Sequence, residues 1–178
     1  MFDPTAFDNM KVVIEGALYD LDLEGEIEII DRNDLMNMAK MSRSFNVCFR
    51  LADTFSHKVT AKMEIESRLN NLASELLKNE QLKNQQGCHL NLNFFYKGIA
   101  GDSEDNLDGI KQILVDLWGT NRKIIQSVTL IPTETTANYT ITIEFDRIIG
   151  EEQLDDLVEM IDFMVITLQK LHDEVPEI

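Results

Sequence analysis

The chain is short of basic residues: sixteen Lys and Arg stand against thirty-two Asp and Glu, a formal net charge of −16. A field of that sign repels phosphate backbones and anionic headgroups. It argues against nucleic acid and against anionic membrane surfaces as partners, and for a basic protein partner. Cysteine is scarce as well. Cys48 and Cys88 are the only two, without CxxC spacing, which suits a reducing cytoplasm better than a disulfide scaffold. Long apolar runs are missing. The nearest, "MIDFMVITLQKL", is interrupted by Asp162, Gln169 and Lys170, whereas a membrane helix needs about 20 apolar residues. The first ten residues, "MFDPTAFDNM", lack the charged and apolar regions of a secretory signal. No P-loop, GxGxxG, GxSxG or HExxH pattern occurs.

What is present reads as one α+β domain over residues 1–178, divisible into halves 10–86 and 87–178. Asp3 and Pro4 suit a helix start, so residues 4–9 read as one short turn. "KVVIEGALYDLDL" reads as extended, Gly25 as a turn, and "EIEII" as a strand. Residues 33–42 fit either period. The alternation of Phe45, Val47, Phe49 and Leu51, then of Val59, Ala61, Met63 and Ile65, predicts a hairpin around "DTFS". A helix over 67–83 would bury Leu69, Leu72, Ala73, Leu76 and Leu77, with Gly87 as breaker. "HLNLNFFY" is a further strand, "KIIQSVTLIP" and "NYTITIEF" a second hairpin, and residues 150–172 a long helix. The expected fold is therefore an antiparallel sheet built from hairpins with helices on one face, in two βαββα-like halves.

The acid-rich stretch "AGDSEDNLDGIKQILVDLWG" tests for a metal loop. Counted from Asp102, an EF-hand would need Gly at position 6 and Glu at position 12, where Leu107 and Ile113 stand. A helix capped by Asp102 or Ser103, with Leu107, Ile110, Leu114 and Leu117 as its apolar stripe and Gly119 as its end, accounts for the same residues. Met36, Met38 and Met41 admit Cu(I), but more commonly fill cores or adaptable surfaces. The pairs Asp20/Asp22, Glu26/Glu28 and Glu64/Glu66 read as solvated strand faces. Neither a metal nor a cofactor is expected.

Charge is uneven. Residues 1–31 carry net −8 and residues 144–178 net −9, while residues 32–68 carry net +3. The basic island has Arg32, Lys40, Arg43, Arg50, Lys58, Lys62 and Arg68, expected to pair with the chain's own acids. The last helix is apolar on nearly every side of its second half, so it must be covered all round, by the domain or by another chain.

In order of elements and acidic charge, and in nothing more specific, the chain resembles small secretion chaperones that dimerise through a helix. The resulting expectation is a cytoplasmic, non-catalytic interaction module, adaptor- or chaperone-like, forming a homodimer through Ile161, Met164, Val165 and Leu168. The alternative is an anion- or ligand-binding protein or enzyme using the basic island, with Arg43, Arg50 and His57 as its binding residues.

Overall fold

The structure, a computed structural model, describes residues 5–52, 57–77, 80–101 and 104–176. The caps assigned to Asp3, Pro4, Asp102 and Ser103 and the "DTFS" turn lie outside the described residues. The elements in chain order are α1 (Ala6–Glu24), β1 (Ile27–Asn37), β2 (Ser42–Leu51), β3 (Val59–Ser67), α2 (Leu69–Leu76), a 3-10 turn (Glu80–Gln85), β4 (His89–Ile99), α3 (Glu104–Trp118), β5 (Lys123–Leu130), β6 (Thr136–Glu144) and α4 (Leu154–Glu174). All six strands join one sheet in the order β1-β2-β3-β4-β6-β5, every pairing antiparallel. The fold is α+β, hairpins with four helices packed against the sheet.

Alternation explains the layering. In β3, Val59, Ala61, Met63 and Ile65 are buried, while the residues between them are half-exposed. Register sets Met63 beside Val47 and Leu92, and Leu92 beside Ile143. These residues form a continuous apolar floor. Over it lie the buried rows of α4 and α1, including Leu157, Ile161, Met164 and Leu168 from α4 and Met10, Ile14 and Leu18 from α1. The opposite face is polar: Asn46, Glu64, Asn91, Glu144 and Lys123 run across it in register. Trp118 ties α3 to α4 by donating its indole N–H to Thr167 Oγ1 at 3.0 Å.

Several expectations are corrected. Residues 11–23 are helix, not strand, so Asp20 and Asp22 lie on α1. Phe7, Met10, Ile14 and Leu18 recur at helical spacing on its buried side. Thr5 starts it by accepting from the Asp8 N–H while the Asp8 carboxylate accepts from the Thr5 N–H, a reciprocal cap that satisfies two otherwise orphaned donors. Residues 33–37 continue β1, residues 38–41 turn, and β2 begins at Ser42. The second half has the expected βαββα order; the first opens with a helix and runs αβββα.

The helix expected at 67–83 is the short α2 followed by a 3-10 turn, and of its expected inward face only Leu72 and Ala73 are half-buried. Its buried residues are Asn71 and Ser74, while Leu69, Leu76 and Leu77 are exposed. Hydrogen bonding explains this. Asn71 accepts from the Arg68 N–H and donates to Gln85 O, and Gln86 donates to Ser74 O. Holding the returning 80–86 segment requires the polar side to face inward, which turns Leu69, Leu76 and Leu77 out. No helix among the described residues is long and apolar enough to cross a membrane.

Gly87 is needed for a close approach. At φ +124, its missing Cβ would lie 2.1 Å from Ile149 O, where Cys88 and Ile149 exchange two backbone hydrogen bonds of 2.9 Å. Gly25, the left-handed C-cap of α1, has open space around it. Urea unfolding should therefore rank two variants: Gly25→Ala loses about 1 kcal/mol, the left-handed penalty alone, and Gly87→Ala loses about 3 kcal/mol or more. Equal losses would contradict the close approach.

Candidate functional site

The β1–β2 turn carries the methionine cluster, and Arg43 and Lys11 tie this hairpin to α1. Arg43 reaches Asp34 through two hydrogen bonds, Nε to Oδ1 at 2.9 Å and Nη2 to Oδ2 at 2.7 Å. Its third nitrogen, Nη1, donates to Asp8 Oδ1 on α1 at 2.8 Å. The guanidinium also lies 4.6 Å from the centre of the Phe7 ring, and Lys11 adds a second cation on Asp34 at 2.8 Å. A planar fork matched to a carboxylate is the geometry in which Arg is strongest. Hydrogen bonding to Arg43 leads in holding the Asp34 carboxyl down at about 2. Asp8 is also lowered: burial opposes ionisation there, but hydrogen bonds from Thr5 and Arg43 outweigh it.

This anchor builds a cleft of about 180 Å³, with Phe7, Met36, Met41 and Leu72 as apolar walls and Arg43 and Ser67 among its lining. Of its walls, Met36 is 66% exposed and Met41 is more than half exposed; Met38, 70% exposed, lines with Leu35 and Met36 a neighbouring cavity, and Leu76 on α2 is 70% exposed. Leu35, Leu69 and Leu77 are exposed as well. Unbranched methionine side chains make a surface that adapts to different apolar shapes.

Beyond the start of α1 lies a second, polar cavity of about 490 Å³, lined by Ala6, Glu75, Lys83, Glu151 and Glu152 among others. Glu75 accepts from the Ala6 N–H at 3.1 Å. Burial pushes its carboxyl up, and the charges of Glu151 and Asp8 act in the same direction.

Arg43 stands apart from Arg50 and His57, which meet at one carboxylate, Glu28. Arg43 and Arg50 lie at opposite ends of β2, seven residues or about 23 Å apart at strand rise, and their side chains leave opposite faces. Arg50 is paired with Glu28 at 2.8 Å. His57, in left-handed backbone at φ 43, adds its charge at the same carboxylate, whose pKa is lowered first by the Arg50 hydrogen bond. Four more members of the basic island are engaged: Arg32 with Glu15, Lys62 with Glu64, Arg68 with Glu66, and Lys58 with Val175 O.

Ile161, Met164, Val165 and Leu168 are taken up by this chain's own core, each less than a tenth exposed. The outer side of α4 presents Val158, Phe163 and Ile166 instead. Cys88 is buried, and burial pushes its thiol up to about 12; burial raises Cys48 too. Thiols held above their ordinary range are poor nucleophiles. Among the described residues no group of three or more His, Cys, Asp or Glu is placed to hold a metal ion.

The sequence flags the methionines but not the cleft. Its walls come from α1, the β1–β2 turn and α2, and the signal that could have placed Phe7 is the Thr5–Asp8 cap that starts α1. No protein-family model matches the chain, and comparison with curated proteins and with solved structures finds no match.

The Arg43 anchor has a defined pH signature. A carboxyl whose folded pKa lies below its unfolded value adds stability above the unfolded value and loses it as pH falls through the folded one. The Asp34 contribution therefore fades between about pH 4 and pH 2. Arg43→Ala should lose about 1–2 kcal/mol at pH 7, discounted for solvent screening at this half-exposed site, and should flatten the fall in stability over that acid window. Urea titrations at stepped pH read both. A wild-type acid slope retained in Arg43→Ala would contradict the anchor.

Proposed function

We propose that this chain is a cytoplasmic, non-catalytic protein-interaction module, adaptor- or chaperone-like, whose working surface is the cleft between the β1–β2 turn and α2. One observation carries the reading: Met36 and Met41, which wall a formed cleft, stand more than half exposed, with Met38 of the same turn more exposed still. The polar interior of α2 strengthens it, because Asn71 and Ser74 are hydrogen-bonded inward and leave Leu69, Leu76 and Leu77 facing out. Turning that helix over would leave Asn71 without its partners.

Self-association through α4 has the row Val158, Phe163 and Ile166 as its remaining apolar surface, and that row is interleaved with Asp155, Glu159 and Asp162. A second copy laid along it would bring like charges together in partly desolvated surroundings. That favours the cleft over α4 as the contact surface.

Exposed positions permit a clean test, because polar substitutions there leave the core intact. Met38→Asp and Leu76→Asp should each keep unfolding stability within about 0.5 kcal/mol and should each lower affinity for a captured partner at least about tenfold. Phe163→Asp should leave that affinity unchanged. The measurements are affinity capture followed by titration with the purified partner, and light scattering for oligomeric state. Capture unaffected by both cleft variants, or dimers dissolved by Phe163→Asp, would overturn the placement.

A further inference from the structure

The apolar cleft and the acidic cavity share a wall. On α1, Phe7 lines the first and Ala6 the second; on α2, Leu72 lines the first and Glu75 the second. Leu72 and Glu75 are three residues apart on one helix, a rise of about 4.5 Å, so a ligand side chain in one cavity has neighbours within reach of the other. The two cavities differ in chemistry. Met36, Met41 and Leu72 offer no charge, and Arg43 there is already held by two carboxylates. Across the wall, three carboxylates, Glu75, Glu151 and Glu152, line the cavity with one cation, Lys83; Glu75 accepts from the Ala6 N–H and Glu151 from the Asn9 amide. Resting on the interaction reading above, we propose that the partner of this surface is a basic amphipathic protein segment. An apolar side chain of the segment fills the Met36–Leu72 cleft, and a Lys or Arg about one helical turn away enters the Glu75–Glu151–Glu152 cavity.

Charge complementarity selects this occupant. The excess carboxylates sit beside the apolar opening rather than at random, and a cation entering there relieves their mutual repulsion. An acidic segment would add to that repulsion, and a second copy of this chain carries the same net −16. Steering by the whole chain's field works in the same direction, so the test must separate local recognition from bulk attraction.

The probe is a dye-labelled synthetic Leu/Lys amphipathic helix of about 18 residues, titrated with the full chain at about 0.15 M salt and read by fluorescence anisotropy; a Leu/Glu peptide of the same pattern is the control. The variants are Met36→Asp, the double reversal Glu151→Lys/Glu152→Lys, and the double reversal Asp20→Lys/Glu24→Lys. The last changes net charge equally at the exposed far end of α1. Circular dichroism verifies folding, and the milder Glu151→Gln/Glu152→Gln replaces the first reversal if that variant unfolds. Expected are binding of the Leu/Lys peptide alone, at least about tenfold weaker binding in both Met36→Asp and the Glu151/Glu152 variant, and a change under about threefold at Asp20/Glu24. Loss in Met36→Asp with equal effects from the two reversals would overturn the basic-segment proposal and leave the cleft reading standing. Unchanged binding in Met36→Asp would overturn both. No binding of the Leu/Lys peptide, or equal binding of the Leu/Glu peptide, would overturn the proposal.

Discussion

The burial of one face of the central strands under α4 and α1 decides everything else about this surface. The odd-numbered residues of β3 and the even-numbered residues of β4 form an apolar floor with almost no solvent contact. A floor of that kind must be covered, and α4 covers it with both of its apolar rows, from Leu157 to Leu171. The wide apolar character of α4 is thereby accounted for inside the chain. Its acids fall on the first turn, where the helix dipole favours them, and on the solvent side.

Once the core is closed in this way, the remaining apolar surface can be located. A large share of it belongs to the β1–β2 turn and α2, as Leu35, Met36, Met38, Met41, Leu69, Leu76 and Leu77, with further exposed apolar residues on α1, α4 and β5. Two polar arrangements hold the turn and α2 in place. Asn71 and Ser74 keep the buried side of α2 hydrogen-bonded, and Arg43 joins the turn to α1 through Asp34 and Asp8. Satisfied polar groups of this type fix a unique arrangement more than they add net stability. The same pairing occupies much of the basic island, so the acidic ends dominate the field that a partner meets.

Much of the architecture was legible in the sequence wherever one face of an element is buried. The alternation in β2, β3, β4 and β6 and the long run of α4 read directly, because period and burial agree. At α1 they did not: Val12 and Val13 carry strand preference, and "YDLDL" alternates by chance, although Leu23 is exposed and the buried set follows the helical period. In α2 the leucine pattern named a face of which only Leu72 and Ala73 are half-buried, because Asn71 and Ser74 find partners 12 to 14 residues further on, which local pattern does not encode. The site was legible in part. Met36, Met38 and Met41 stood out as a cluster and Arg43 as a cation of interest, but the role of Arg43 depends on Asp8, 35 residues away. Phe7 and Leu72 join the methionines only through the topology.

The methionines themselves report most directly on the central claim that the core apolar rows of α4 are interior while the turn of the first hairpin is free. Dilute hydrogen peroxide converts accessible thioethers to sulfoxides, and peptide mass spectrometry reads each position. Met36, Met38 and Met41, all more than half exposed, are expected to oxidise first and together. Met10, Met63 and Met164, fully buried, and Met160, nearly so, are expected to lag by at least about tenfold in the folded chain. Oxidation of Met160 and Met164 as fast as Met38 would contradict the account, since α4 would then present its apolar rows outward.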